Sequence, residues 1–270
     1  MKYSESNEMY ARVMQVSEKL QELSSGETPC EQNGLLAEAR TALYRAQCNC
    51  SYWHGAFGGV YLNHLRTALY ERLIAADALL DTLDHADAKP WATCEVTDFD
   101  ADGNDEAILD NELVTAIFAP ADGGSLVELD FKPRPFNFLN TLARREEPYH
   151  DALRKGEVVK AGEAAGGSIH DLAQVKEEGL DQYLIYDPYR RSSLRDHVYP
   201  LDVSLESLMR CDVDAELWPS AAAYELFPGP AEATISLARE AAVSGQTLQL
   251  RKAVTLAPGL SGLQVTYAIL

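Results

Sequence analysis

Residues 62–90 have the sequence LNHLRTALYERLIAADALLDTLDHADAKP and mark the change from a helical pattern to a strand pattern. Apolar residues recur here at intervals of three and four, which places them on one face of a long helix. This apolar stripe consists of Leu62, Leu65, Leu69, Leu73, Ala76, Leu80 and Leu83. Pro90 has no backbone N–H to donate, so it closes the helical region.

The residues before this stretch contain two more helical patterns. Met9, Val13, Val16, Leu20 and Leu23 share one helix face, and a second helix is predicted from Leu35 to Gln47. We therefore predict an N-terminal bundle of three helices as one domain, residues 1–89.

A period of two residues takes over after Pro90. Val127, Leu129 and Phe131 alternate with Leu126, Glu128 and Asp130, and a second alternation runs from Leu263 to Ile269. Further strands are predicted at 93–99, 114–119, 183–186, 222–226, 234–237 and 248–256. Because no helical pattern intervenes regularly, we predict an α+β protein whose second domain, residues 90–270, is an antiparallel β-sandwich. The chain ends on a strand pattern, so we expect this sandwich to be truncated.

The composition limits the partners that the chain can have. It carries 42 acidic and 23 basic side chains and a net charge of −19, which argues against binding nucleic acid or an anionic membrane. No apolar run reaches the roughly 18 residues of a membrane span, and no secretory signal is evident, so a cytoplasmic location is expected. The five scattered cysteines indicate neither a disulfide framework nor a redox or zinc site.

The segment between the second and third helices is the main candidate site. Residues 46–62, AQCNCSYWHGAFGGVYL, combine aromatic side chains, glycines and neutral polar groups. Aromatic faces of Tyr52 and Trp53 could stack on the C–H faces of a sugar, while Asn49 and His54 could hydrogen-bond its hydroxyls. Composition alone leaves open a structural alternative, in which the aromatic residues anchor a turn to the core.

An acidic loop follows the first predicted strand. Oxygen-bearing side chains alternate around Gly103, and they belong to Asp98, Asp100, Asp102, Asn104 and Glu106. This spacing resembles the start of a calcium loop, although the twelfth position of an EF-hand would be Leu109. Calcium is therefore the one cofactor we consider, and none is required. The alternative is a solvated hairpin loop, since Asp and Gly favour turns.

Two polar strings remain. Arg190, Arg191, Asp196 and His197 lie in one of them, and Arg144 and Arg145 in the other. His197 could move a proton with Asp196, but arginine forks more often hold carboxylates at an interface. We predict that these residues hold the β domain against another domain.

Several of these strings resemble glycoside hydrolase family 57, which includes 4-α-glucanotransferases and α-amylases. YWHGAFGGVYLNHLR at 52–66 resembles the last signature region of that family. KYSESN at 2–7 resembles the segment that leads into the helical middle domain of the family. Four further stretches of this sequence resemble the family's C-terminal domain: 98–103, 124–130, 136–145 and 189–197. Asn63 stands where many members have proline, which affects only the first turn of a helix.

The resemblance implies three parts: a catalytic (β/α) barrel, a helical middle domain and a mutarotase-like β-sandwich. This sequence has counterparts of the last two, whereas the barrel, with its Glu nucleophile and Asp acid/base, is missing. No catalytic residue is therefore assigned, and the chain alone is expected to be inactive. We predict that Trp53, His54, Tyr52 and Asn49 line a cleft for an α-1,4-glucan, or maltooligosaccharide, and that the interface residues hold the missing N-terminal barrel.

Two other functions remain open. The chain could be a stand-alone carbohydrate-binding module that binds maltooligosaccharide through Trp53. It could also be a sugar epimerase on a mutarotase-like sandwich, with His150 or His197 acting beside a glutamate.

Overall fold

The structure is a computed structural model, and it describes most of the chain. The described residues are 3–25, 33–55, 58–86, 90–155, 158–160, 173–175, 179–210, 216–229 and 233–270. The chain divides into two compact units, of which the first comprises Met1–Thr141, Ser192–Val198 and Leu217–Leu270. The second comprises Leu142–Arg191 and Tyr199–Glu216. Among the described helices, none combines the length and the apolar character needed to cross a membrane.

Three long helices open the first unit. They are α1 (Ser4–Ser25), α2 (Asn33–Ala46) and α3 (Asn63–Asp84). The predicted apolar faces are their buried faces, since Met9 and Val16 on α1 are each only 1% exposed and Leu73 on α3 is fully buried. The prediction of three N-terminal helices is confirmed.

Two antiparallel sheets follow in the same unit. The first has five strands in chain order: β1 (Ala92–Thr97), β2 (Glu106–Asn111), β3 (Val114–Ala119), β4 (Ser125–Phe131) and β5 (Phe136–Asn137). The second is ordered β11-β10-β9-β8, from β8 (Glu225–Pro228), β9 (Thr234–Val243), β10 (Gln246–Leu256) and β11 (Leu263–Ile269). Leu109 and Phe118 of the first sheet share an apolar core with Ile235 and Val254 of the second. The predicted α+β class, helices followed by an antiparallel sandwich, is confirmed.

A β-bulge in β4 breaks the predicted alternation. Ile117 pairs with Glu128 while its neighbour Phe118 pairs with Leu126, so Val127 is an extra residue in the ladder. Leu126 therefore joins the sandwich core, whereas Val127 packs with Ile108 and Ile117 on the opposite face. The predicted placement of Val127 with Leu129 and Phe131 was wrong for this reason.

The opposite face of the first sheet packs against the helices through charged side chains. Arg12 of α1, 2% exposed, donates from Nε to Glu128 Oε1 at 2.7 Å, and its Nη2 lies 3.2 Å from Asp77 Oδ2 and 3.4 Å from Asp130 Oδ2. Lys132, the residue after β4, lies 2.6 Å from Asp81 of α3. We call this set the ionic contact; its cations are Arg12, Lys19 and Lys132, and its carboxylates are Asp77, Asp81, Asp110, Glu128 and Asp130.

The second unit contains short elements. They are α4 (His150–Lys155), α5 (Leu205–Arg210) and a parallel pair formed by β6 (Val158–Lys160) and β7 (Ala173–Val175). The strand predicted at 183–186 was wrong, because the amides of Leu184 and Ile185 bond locally to Asp181 and Tyr183. The strand predicted at 222–226 begins only at Glu225, since the amide of Ala222 closes a turn onto Pro219.

Candidate functional site

The segment between α2 and α3, residues 47–62, is called the aromatic loop below; Ala56 and Phe57 lie outside the described residues. Two 3-10 turns, Asn49–Ser51 and Gly59–Tyr61, form its two ends. Ser51 Oγ donates to the carbonyl of Leu65 on α3 at 3.1 Å, which fixes the first turn to the following helix. The loop is thus held by the helices on both sides of it.

Two glycines let the loop fold onto Trp53. A Cβ at Gly55 would lie 2.1 Å from Cζ3 of the indole, so the ring packs directly on this glycine. Gly59 has φ +54° and would place a Cβ 2.0 Å from the Trp53 carbonyl, which instead accepts the amide of Val60 at 2.9 Å. The indole thus packs on the loop's own backbone, yet Trp53 remains 52% exposed.

His54 lies beside Trp53 in the chain and is oriented by its own loop. Its Nδ1 lies 3.0 Å from the carbonyl of Gly58, and its ring meets Tyr61 edge-on at 4.7 Å. Because a carbonyl oxygen only accepts, Nδ1 carries the proton of the neutral ring and Nε2 is the acceptor nitrogen. The structure therefore supplies an exposed aromatic face and an oriented imidazole at adjacent positions.

The other two predicted site residues contribute differently. Tyr52 donates its hydroxyl to the carbonyl of Ala46 at the end of α2, at 2.9 Å. Burial, followed by the neighbouring Cys48, raises the pKa of this hydroxyl, so it stays protonated. Asn49 is exposed in the first 3-10 turn. Tyr52 thus serves the loop structurally through its hydroxyl, while a role in binding stays a prediction for all four residues.

Arg66 is a structural residue that the sequence did not reveal. It is 5% exposed on α3, and its guanidinium bonds the carbonyl of Val60 in the aromatic loop. Its Nε donates to Asn140 Oδ1 at 2.7 Å, which joins the loop to the segment after β5. Desolvation lowers the pKa of Arg66, although the group stays charged at neutral pH. The one indication in the sequence was that an arginine directly follows Leu65, a residue of the apolar stripe.

The acidic loop connects β1 to β2 as a hairpin. Carboxylate oxygens of Asp98, Asp100 and Glu106 lie within 4.8 Å of one another. The two oxygens of Asp98 each accept a backbone amide at 3.0 Å, from Asp102 and Gly103. Burial, then the charges of Asp100 and Asp102, raise the pKa of Glu106 to about 8.

The remaining two residues of the predicted metal set are turned toward the loop itself. Asp102 Oδ1 accepts both the backbone amide of Asn104, at 2.8 Å, and its side-chain amide, at 2.9 Å. The structure therefore brings three of the five predicted oxygen donors together, and it uses Asp102 and Asn104 to shape the turn.

The four arginines of the two polar strings lie in the second unit, where Asp187 binds two of them. Arg144 donates to Asp187 through its backbone amide at 2.6 Å and through Nη2 at 2.7 Å, and Arg191 donates at 3.0 Å. Burial opposes ionisation of this carboxyl, but the hydrogen bonds from Arg144 and then Arg191 prevail and hold its pKa below the usual range. Arg145 and Arg190 belong to the same unit. The predicted contact of these residues with a barrel stays a prediction.

Asp196 lies in the segment Ser192–Val198, which belongs to the first unit. Its Oδ2 accepts the hydroxyl of Tyr224 at 2.6 Å and lies 2.8 Å from Nζ of Lys252, a fully buried lysine of β10. His197 is exposed. The carboxylate that a His197–Asp196 proton relay would need is therefore engaged by Tyr224 and Lys252.

The same segment is fastened to the sandwich at further points. Lys252 Nζ donates to the carbonyls of Gly124 at 2.7 Å and Leu194 at 2.8 Å. Arg195 lies 2.5 Å from Asp122, and Ser193 forms an isolated bridge with Leu126 of β4.

Together these observations define an α+β protein in which a helical segment with an exposed, glycine-held tryptophan precedes an antiparallel β-sandwich. Comparison with models of known protein families identifies the family to which the chain belongs. Residues 98–270 match the C-terminal domain of the α-amylase/4-α-glucanotransferase family, and residues 1–80 match its middle domain. The chain therefore belongs to this family, glycoside hydrolase family 57, as the sequence predicted.

Individual relatives agree with this assignment. The chain is 38% identical over 209 residues to α-amylase 1 of Dictyoglomus thermophilum, covering 77% of this chain and 28% of the relative. It is 35% identical over 257 residues to a 4-α-glucanotransferase of Thermococcus kodakarensis, covering 94% of this chain and 35% of the relative. The crystal structure of 4-α-glucanotransferase from Thermococcus litoralis matches with a TM-score of 0.76 and 29% identity, over 100% of this chain and 37% of that one.

These matches cover most of this chain but only a part of each relative. The chain spans 28 to 37% of the length of these relatives, and it corresponds to the middle and C-terminal domains of the family.

Proposed function

We propose that this chain supplies one wall of the substrate cleft in an enzyme acting on α-1,4-glucans, and that the aromatic loop is that wall. The chemistry would belong to an N-terminal barrel, where two carboxyls roughly 5–5.5 Å apart break and re-form the glycosidic bond with retention. The chain itself would bind and position maltooligosaccharide, and the arginine strings would hold the barrel. We propose a cytoplasmic location for the same protein.

One observation carries this proposal: Trp53 is half exposed although its ring packs on Gly55 of its own loop. Of the three tryptophans of the chain, Trp91 is 6% exposed and Trp218 is fully buried. An exposed indole offers a flat apolar face on which the C–H side of a sugar ring can stack, and its N–H can hydrogen-bond a hydroxyl. The oriented acceptor of His54 next to it suits a sugar hydroxyl. The names of the relatives, α-amylase and 4-α-glucanotransferase, support a glucan as that partner.

The direct test is a chimera in which this chain replaces the matching part of the Thermococcus litoralis protein. We expect the chimera to transfer glucan units between maltooligosaccharides. Trp53→Ala should then raise KM for maltoheptaose by roughly tenfold, because a stacking contact of about 1.4 kcal/mol is lost. The matched control is Tyr44→Ala, which removes a 63% exposed aromatic side chain of α2 outside the loop.

An unchanged KM in Trp53→Ala would remove the loop from the cleft. An equal effect of Tyr44→Ala would indicate a general loss of helix stability rather than loss of a binding contact. Hydrolysis without transfer would support the amylase branch of the proposal, and transfer the glucanotransferase branch.

A simpler measurement examines the isolated chain. Because Trp53 is the exposed tryptophan, sugar binding should change the fluorescence of the wild type and leave that of Trp53→Ala unchanged. Saturable binding below about 1 mM maltoheptaose would favour a stand-alone carbohydrate-binding module over a cleft that needs its barrel. Interconversion of glucose anomers by the chain would favour an epimerase.

A further inference from the structure

The hairpin loop between β1 and β2 concentrates negative charge beyond what a turn requires. Residues 98–106 contain five acidic side chains and no basic one. Asp98, Asp100 and Glu106 each offer a carboxylate oxygen, and these three oxygens lie within 4.8 Å of one another. Like charges this close repel, and a cation between them would relieve that repulsion.

Glu106 provides a second, independent observation. It opens β2 opposite Thr97, is only 5% exposed, and belongs to the group of three. Its Oε2 is buried and has no hydrogen-bond partner among the described residues. A buried carboxylate oxygen without a donor costs free energy, and ionised Asp98 and Asp100 can only accept. A cation at this position would supply the missing partner.

The geometry points to a site for one calcium ion, held by Asp98, Asp100 and Glu106. Calcium binds oxygen ligands at about 2.3–2.6 Å, so two ligands of one ion lie at most about 5.2 Å apart, a limit that the three carboxylates meet. The all-oxygen ligand set excludes a preference for zinc, which favours nitrogen and sulfur. Calcium completes its shell with water and backbone carbonyls, as an open loop permits. The site would fix the turn between β1 and β2.

Calorimetric titration of the 270-residue chain with CaCl2, after removal of metal with EDTA, tests this site. We expect one ion per chain with a Kd of roughly 10⁻⁵ to 10⁻³ M, and weaker binding of MgCl2. Glu106→Gln should weaken calcium binding at least about tenfold, and Asp100→Asn should do the same. The matched control is Asp105→Asn, which removes the same charge from an exposed residue outside the group.

Thermal unfolding separates loss of the site from loss of the fold. Calcium should raise the Tm of the wild type and of Asp105→Asn, but not that of Glu106→Gln. In EDTA, Glu106→Gln should have a Tm no lower than the wild type, because it removes a buried carboxylate without a partner.

Two outcomes would overturn the site: no heat of binding up to about 5 mM calcium, or an equal loss of affinity in Asp105→Asn and Glu106→Gln. The second would mean diffuse attraction to an acidic loop. The site depends on no part of the proposed glucan role, so each can fail alone.

Discussion

One face of the first sheet packs against the second sheet through apolar side chains, whereas its other face packs against the helices through buried charges. Leu109 and Phe118 are fully buried on the sandwich side. Glu128 and Asp130 are 2% and 1% exposed on the helical side, where Arg12 reaches between them. The same strands thus supply an apolar interior on one side and, beside the small apolar group of Ile108, Ile117 and Val127, an ionic one on the other.

The difference between the two faces concerns specificity. An apolar core tolerates substitutions that preserve volume, because its attraction has no direction. A buried ionic contact is favourable only where each charge meets its partners, so we expect it to fix the register of α1 and α3 on the sheet. With three cations and five carboxylates, the ionic contact also has an excess of acid. Burial, and then the charge of Glu128, raise the pKa of Asp130 above its ordinary value, against the opposing charge of Arg12.

Among the substitutions that test the ionic contact, we expect Arg12→Met to have the largest effect on the free energy of unfolding. This change leaves Glu128 buried without its cation and leaves Asp77 with Lys19 alone, and we expect it to lower the free energy of unfolding by about 3–5 kcal/mol. Urea unfolding followed by tryptophan fluorescence measures it, because all three tryptophans lie in the first unit. Arg72→Met, at an exposed position of α3, is the control and should change little. A loss below about 1 kcal/mol in Arg12→Met would contradict a specifying role for the ionic contact.

The corresponding change on the apolar face is Leu109→Ala. It removes a fully buried side chain from the sandwich core and should cost about 3 kcal/mol through lost burial and the cavity left behind. The same urea experiment measures it. Leu109→Met should recover most of the stability, whereas Arg12→Lys should recover little, since lysine cannot reproduce the fork of arginine. Equal recovery by both conservative changes would mean that the two faces do not differ in specificity.

The ionic contact should also make the free energy of unfolding depend on pH, which an apolar core does not, and we expect this effect to be smaller. Burial raises the pKa of Asp110 to about 6, against the opposing effect of Lys132, from roughly 3.9 in an unfolded chain. The folded state therefore binds more protons between these values, and the contribution of Asp110 to the free energy of unfolding falls as pH rises from about 4 to about 6. We expect the stability of the wild type relative to Asp110→Asn to fall by on the order of 1–2 kcal/mol across this window.

Urea unfolding at several pH values between 4 and 7 measures that difference, with Asp84→Asn as the control because its carboxyl is half exposed. A stability difference that rises with pH would contradict the direction given for the pKa of Asp110.

The sequence predicts elements whose pattern is local. The stripe of α3 needed only its own 3.6-residue period, and the predicted strand 114–119 coincides with β3 (Val114–Ala119). β2 was not predicted, because Ala107, Ile108 and Leu109 are buried on both faces and show no alternation. The bulge at Val127 likewise depends on the partner strand β3, which a single-strand pattern does not contain.

The candidate site divides in the same way. The aromatic loop and the acidic loop are contiguous in sequence, so composition and spacing indicated both of them. The ionic contact joins Arg12 to Glu128 across 116 residues, and Arg66 meets Asn140 across 74, so neither pairing has a local signal. The roles of Trp53, His54 and Asn49 in binding remain predictions for the chimera to test.

Lys252 has a consequence for how the chain can vary. Together with Arg195 it fastens the seven residues Ser192–Val198 to the sandwich, while the chain on both sides of them belongs to the second unit. Along the sequence, the second unit therefore consists of two insertions into the first unit, and the anchored segment Ser192–Val198 separates them. Insertions that begin and end at fixed anchor points can lengthen, shorten or be exchanged without unthreading the domain that carries them. We expect relatives to differ most in length within 142–191 and 199–216, and to retain the contacts of Lys252 and Arg195 that anchor Ser192–Val198.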